Sequence, residues 1–259
     1  MRTAAQLASS QNNIRQINLF THQLIGLSDD KIKGLPDGSR KQTRLTADQT
    51  VFSQLLPLAV PNRGLFPKNA TVGQITAWVL PRVALYTSPA DPTLTSLGDP
   101  GLSGMRGVCS YVVNQMAFDK IVRVPVSIPD GMSSTIAFGE HYYACKKNEE
   151  YLDYVEAYAA LPQQQNGSAT RRASFADAGW YDVVPVVENG VARPSQPGYT
   201  LQYMPKIEEA WGKVLQTPHP GGLPVGMMDG SVRTLRPGIV ESVYWALVTP
   251  AGGEVVGDF

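Results

Sequence analysis

The sequence predicts an α+β fold: a long N-terminal amphipathic helix packed on an antiparallel β-sheet, followed by an elaborated β-rich C-terminal half. Three observations lead there. Residues 2–27 place apolar side chains at Leu7, Ile14, Ile17, Phe20, Leu24 and Ile25, which approximates the i, i+3, i+4, i+7 stripe of a helix with one buried face. From Gln74 onward, short runs rich in Val, Ile, Tyr and Thr alternate with turn-forming clusters. Near the end, Asp229-Gly230 separates Leu223–Met228 from Ser231–Leu235, and an Asp-Gly pair favours a two-residue type I′ hairpin turn. The 259 residues can bury a substantial core and are read as one domain, 1–259, with a helix at 1–27, a β-rich body over 74–259 and a C-terminal hairpin at about 223–235.

Taken in order, the first helix should end at about Ile25, because Gly26 breaks the pattern and Ser28, Asp29 and Asp30 follow as a polar stop. Residues 30–46 read as an exposed loop around Pro36-Asp37-Gly38. Thr46 with Gln49 resembles a capping box, so a second helix is expected through Val51, Phe52, Leu55 and Leu56, stopped by Pro57. Strands are expected at Ile75–Leu80, Val83–Tyr86, Cys109–Val113, Ile121–Ile128, Thr135–Cys145, Tyr181–Val187 and Thr200–Met204. Tyr151, Tyr154, Val155 and Tyr158 have helical spacing and suggest a helix within Asn148–Leu161, and the polar stretch Gln163–Ser174 reads as a loop. Val240–Val248 reads as a short helix with Val243, Tyr244 and Leu247 on one face, ended by Thr249-Pro250.

Composition narrows the function. The 22 basic and 22 acidic residues balance, without a basic patch, so no nucleic-acid partner is expected. No run approaches the roughly 18 apolar residues of a membrane helix, and the N-terminus lacks the apolar core of a signal peptide.

Few residues have the spacing of a chemical site. His22, His141 and His219 have no histidine partner at i+2 or i+4 that would make a local metal pair. His219 precedes Pro220-Gly221-Gly222 and lies ten residues before Asp229, which puts it near the open end of the hairpin as a hydrogen-bonding post for backbone groups. Asp229 serves the turn in one reading; in the other it is a Ca²⁺ ligand together with loop carbonyls and Glu254 or Asp258, although the ligand spacing of an EF-hand is absent. Glu140-His141, with Ser133 and Ser134 upstream, lacks a Gly-x-Ser-x-Gly elbow, and strand neighbours point to opposite faces. Gly252-Gly253-Glu254 lacks the Lys-Ser/Thr of a nucleotide loop, so no enzyme is read here. Trp180-Tyr181, Tyr199, Tyr203, Trp211 and Tyr244-Trp245 belong either to the core or to an exposed sugar- or subunit-binding face. Cys109 and Cys145 form either a strand-bridging disulfide or two buried thiols.

A family resemblance rests on four blocks in order. They are Arg2-x-Ala4-Ala5 through Gln11-Asn12-Asn13-Ile14-Arg15-Gln16-Ile17 and His22; Ser88-Pro89-Ala90-Asp91-Pro92; Pro129-Asp130-Gly131-Met132-Ser133-Ser134-Thr135-Ile136; and His219 followed, after nine residues, by Asp229-Gly230 and the tail Trp245–Val255. Together they resemble the H-x9-DG prepilin-like family DUF1559, abundant in planctomycete-type bacteria and also catalogued as a solute-binding domain. The resemblance implies a pilin-like or pseudopilin-like structural subunit of the cell envelope. It would sit in the periplasm or at the cell surface and assemble, as a homo-oligomer or pilin-like array, through its N-terminal helix. The alternative it implies is an anchored module that binds a solute or polysaccharide. Two departures stand out: Ser88 and Ala210-Trp211 occupy positions where the family often has cysteine, so the family's disulfides there cannot form and Cys145 loses its implied partner. The family's apolar membrane helix has no counterpart in the sequence, so membrane contact is expected only through an upstream helix.

Overall fold

Residues 2–26 contain no proline and a glycine only at the final position, and helix α1 (Arg2–Leu27) runs through them to end two residues beyond the Ile25 that the breaker pattern suggested. The computed structural model describes residues 2–27, 51–61, 82–96, 108–118, 124–148, 151–157, 164–165, 168–178, 184–195 and 198–254. The expected strand at Ile75–Leu80 and the capping box at Thr46 lie outside them. The buried face of α1 is Ser10, Ile14, Ile17, Asn18 and Thr21, while Arg15 is exposed. The predicted stripe supplies two of these five positions, and the other three are polar. Helix α2 (Val51–Ala59) buries Val51, Phe52, Leu55 and Leu56 and passes through Pro57. Proline removes one backbone donor, but so near the C-terminus the last turn closes through the Val60 amide on the Leu56 carbonyl. Helix α3 (Thr93–Ser96) is a single turn, and α4 (Glu241–Val248) buries Tyr244 to Val248. Among the described residues, no helix is long and apolar enough to cross a membrane.

The strands are β1 (Tyr111–Asn114), β2 (Ile136–Glu140), β3 (Ala144–Asn148), β4 (Tyr151–Ala157), β5 (Gln164–Gln165), β6 (Ser168–Arg172), β7 (Ser174–Phe175), β8 (Pro185–Glu188), β9 (Val191–Pro194), β10 (Gln202–Tyr203), β11 (Gln216–Thr217), β12 (Leu223–Met227) and β13 (Val232–Leu235). The main sheet has the order β13-β12-β2-β1-β7, and a second has the order β3-β4-β6-β5. The architecture is α+β as predicted, but the sheets are mixed rather than antiparallel. Strand pairs β1/β7, β4/β6 and β10/β11 are parallel.

Several expected elements differ. Ala84–Tyr86 is a 3₁₀ turn, not a strand, and residues 124–127 form turns, although 119–123 of the same expected strand lie outside the described residues. Thr135–Cys145 divides into β2 and β3 because, after His141 N donates to Ser110 O in the β1/β2 register, the next two amides leave the ladder: Tyr142 N donates to Gln216 Oε1 and Tyr143 N to Asp91 Oδ2. The helix expected within Asn148–Leu161 is strand β4, paired on both sides, with β3 and β6. Tyr and Val favour a pleated strand, and two ladders outweigh a short helical spacing. The loop expected over Gln163–Ser174 contains β5, β6 and the start of β7.

Two hairpins reverse the turn chemistry that the sequence suggested. Between β8 and β9, Asn189 (φ 54°) and Gly190 (φ 73°) form the two-residue turn with both φ values positive that type I′ requires. At the C-terminal hairpin only Gly230 is positive, at φ 88°; its amide donates to Met227 O, and Met227 N donates to Ser231 O. That pattern is a three-residue loop, a type I turn closed by a glycine bulge, and it corrects the expected type I′ turn. The reason is tertiary. Met228 N and Asp229 N donate to Thr135 O and Met132 O, so the block at 132–135 holds the turn from outside.

The main core runs from Ile14 and Ile17 of α1 through Phe52, Tyr86, Phe138 and Val225 to Val248. Phe52 meets Tyr86 and Phe138 edge-on, with ring centroids at 5.2 and 5.8 Å. Helix α1 crosses β12 closely because Gly226 has no side chain. A Cβ there would lie 2.4 Å from Asn18 Nδ2 and 2.8 Å from Ile14 Cγ2.

Candidate functional site

Glu140 ends the central strand β2 with no exposed surface. A carboxylate so buried must find donors, and three hydroxyls supply them. Ser10 Oγ donates to Oε1 at 2.8 Å, Ser88 Oγ to Oε1 at 2.6 Å, and Thr217 Oγ1 to Oε2 at 2.7 Å. Because a serine has one hydroxyl hydrogen, the directions along the chain are fixed. Ser10 gives its proton to Glu140, so Tyr111 OH donates to Ser10 Oγ at 3.0 Å, and Asn13 Nδ2 donates to Tyr111 OH at 3.2 Å. Every proton in the relay points toward one carboxylate. Burial, and next the Glu140 charge, raise the Tyr111 phenol well above its ordinary pKa, so it stays a donor.

His219 completes the cluster. Its imidazole is 2 % exposed, with Nε2 at 3.3 Å from Glu140 Oε1. Nε2 has no partner in hydrogen-bonding geometry, so the contact is one of packing against the carboxylate. The sequence reading of His219 as a post for hairpin backbone is therefore corrected: the ring faces a carboxylate, and only its own carbonyl serves the glycine turn, accepting from Gly222 N.

A second buried carboxylate anchors the Ser88–Pro92 block. Asp91 Oδ1 accepts from Thr93 N and Thr93 Oγ1 at 2.9 and 2.5 Å, and Oδ2 accepts from Ser110 Oγ and Tyr143 N at 2.7 and 2.9 Å. Desolvation raises its pKa despite these donors. A third carboxylate, Asp130, accepts from Gly252 N and Gly253 N at 2.6 and 2.9 Å. The four sequence blocks thus meet through carboxylates and backbone amides.

His141, next to Glu140, belongs to neither cluster. Its Nδ1 lies 2.5 Å from Tyr142 O, and burial pushes the imidazole down to about 4 against smaller opposing pulls from the backbone of Tyr142 and Gly212. Asp229 accepts from Ser231 N and Ser231 Oγ, and Glu254 from Thr249 Oγ1. Asp258 lies outside the described residues. Among the described residues no three His, Cys, Asp or Glu side chains gather in a way that could hold a metal.

Cys109 and Cys145 are buried thiols, not a disulfide, with Cys109 Sγ directed at Tyr111 O. Cys145 shares a small core cluster with Tyr142 and Ala210, the very position from which the resemblance draws its missing partner. Of the aromatics, Tyr244 and Trp245 are core, while Trp211 is 44 % exposed beside Tyr199, with ring centroids at 5.1 Å. Trp180 and Tyr181 lie outside the described residues. Sequence reasoning missed Ser10, Ser88, Tyr111 and Thr217. Ser10 continues the helical spacing of Ile14 and Ile17, which is the one signal that could have found it.

Beside the cluster, α1 and residues 82–89 border an open groove of about 660 Å³. Asn13 and Ser88 belong to both.

Residues 124–239 match a family described as a protein of unknown function (DUF1559). The matched span includes Glu140, Thr217, His219 and the Asp229-Gly230 turn; Ser10 and Ser88 lie before it. No curated protein and no solved structure matches the chain. Over residues 124–239, a little under half of its length, the chain is similar to the DUF1559 family.

Proposed function

We propose that the chain is a non-catalytic, pilin-like or pseudopilin-like structural subunit of the bacterial cell envelope, located in the periplasm or at the cell surface and assembled with copies of itself through α1. The observation that carries this reading is Glu140. Its carboxylate is fully buried and receives hydroxyls from α1, from the 82–89 segment and from Thr217, so its role is to fasten a helix to a sheet. An activated serine nucleophile would instead give its proton to a base such as His219. Both serines here donate to the carboxylate.

Crosslinking between copies tests the assembly. Leu19 is 63 % exposed on the outer face of α1. Leu19→Cys, expressed from the native locus in whole cells, should crosslink to a second copy, whereas display without any crosslink between copies would contradict the reading.

The groove favours a second reading, an anchored solute- or polysaccharide-binding module. Its polar rim and its volume of about 660 Å³ fall in the range of small-ligand sites.

A further inference from the structure

We propose that the groove between α1 and residues 82–89 is a binding subsite for an acidic sugar, a hexuronate unit carried by a free or polymeric saccharide. The proposal rests on the second reading above and names its ligand class. Ser9, Asn13 and Gln16 lie at i, i+4 and i+7 on α1 and so share one wall of the groove. Ser9 and Gln16 are exposed. Asn13 spends its Nδ2 on Thr87 O and Tyr111 OH, at 3.3 and 3.2 Å, which leaves its carbonyl oxygen to accept a ligand hydroxyl. Across the groove, Arg82 is exposed and is the sole charged residue among the described residues of the lining. Leu85 and Pro89 add apolar surface beside it.

This inventory matches the chemistry of a sugar acid. A pyranose presents hydroxyls at its edge and C–H groups on its face, which suit the amide and hydroxyl wall and the Leu85 and Pro89 surface respectively. A carboxylate takes the guanidinium in a charge-assisted, bidentate pair that a neutral sugar cannot form. Asn13 and Ser88 join the groove to the Glu140 cluster, so an occupied groove braces α1 against the 82–89 segment at the point where both are already fastened.

The test is an NMR or calorimetric titration of the purified chain with sodium glucuronate, a glucuronate-containing disaccharide and its neutral counterpart. Arg82→Ala and Gln16→Ala, both at exposed positions, are the variants, with melting curves recorded to confirm that they fold. The expected result is binding of the acidic sugars, weakened about tenfold by Arg82→Ala and by a similar factor for the neutral disaccharide. Equal affinity for monomer and disaccharide identifies a free sugar acid as the source; preference for the disaccharide identifies a polymer. Equal binding of neutral and acidic sugars would overturn the acidic assignment and leave the binding reading standing. Binding that neither variant changes would overturn the groove as the site. No binding of any sugar would overturn the proposal and remove the support for the second reading.

Discussion

Asp91 and Glu140 are both buried carboxylates ringed by donors, yet they are assembled from different material. Asp91 draws two of its four contacts from backbone amides, and Thr93, two residues away, provides half of the set. Glu140 draws only on side-chain hydroxyls, at sequence separations of 130, 52 and 77. Backbone donors exist whatever the sequence, whereas hydroxyl donors exist only where Ser, Thr or Tyr happens to stand. The Thr93 half of the Asp91 site is therefore a local turn, completed by Ser110 and Tyr143 from farther along the chain, whereas the Glu140 site is wholly a property of the completed fold.

The largest effect should come from the carboxylate itself. Glu140→Gln turns an acceptor-only group into one that also carries two donors, leaving at least one hydroxyl proton opposed by an N–H. Removing one partner of a buried charge cluster costs about 3 to 5 kcal/mol, and urea unfolding should show a loss of that order. Asp91→Asn should cost less, on the order of 1 to 2 kcal/mol. The raised pKa of Asp91 means that burial weakens its preference for the charged form, so less is lost when the charge is removed. Equal losses for the two variants would break the comparison.

Acid sharpens it further, because the neighbouring titratable groups have opposite signs. The folded pKa of His141 is depressed from 6.5 to about 4, so between those values the unfolded chain binds the extra proton. Stability is then fully present above 6.5 and is lost as pH falls toward 4, by about 3 kcal/mol for a fully buried ring. Asp91 runs the other way: its folded pKa is raised above 3.8, so its contribution is greatest below that value and declines as pH rises through the folded pKa. His141→Gln should flatten the pH dependence of the unfolding free energy between about 4 and 6.5. An unchanged slope would show that His141 is not the group responsible.

A smaller effect is expected where α1 meets β12. Gly226→Ala places a Cβ inside contact distance of Asn18 and Ile14, and the helix must shift to admit it. Overpacking of this kind costs about 1 to 3 kcal/mol, readable as a lower urea midpoint. A neutral result would mean that α1 is held loosely on the sheet.

The elements most legible in the sequence are those whose signals are local. Helix α1, the C-terminal hairpin and the short helix at 241–248 follow from residues that touch one another along the chain. Where the reading failed, a distant partner decided the outcome. Met132 and Thr135 carbonyls pull the Asp229-Gly230 turn into a bulge, while Asn189-Gly190, between β8 and β9, takes the type I′ form. Strand β4 owes its state to neighbours on both sides, which periodicity cannot see. The candidate site was half legible. His219 stood out by its motif spacing and Glu140 was noticed beside His141, but nothing along the chain joins position 10 to position 140 or 219.

Amide hydrogen exchange on Ser10→Ala measures the central claim most directly. The substitution removes the hydroxyl that α1 gives to Glu140 and leaves the carboxylate, Ser88 and Thr217 in place. If Glu140 fastens α1 to the sheet, the amides of α1 around residues 10–21 should exchange about tenfold faster while β2 and β12 keep their protection, because only the opening of the helix becomes easier. Unchanged exchange in α1, or equal acceleration across α1, β2 and β12, would contradict the account.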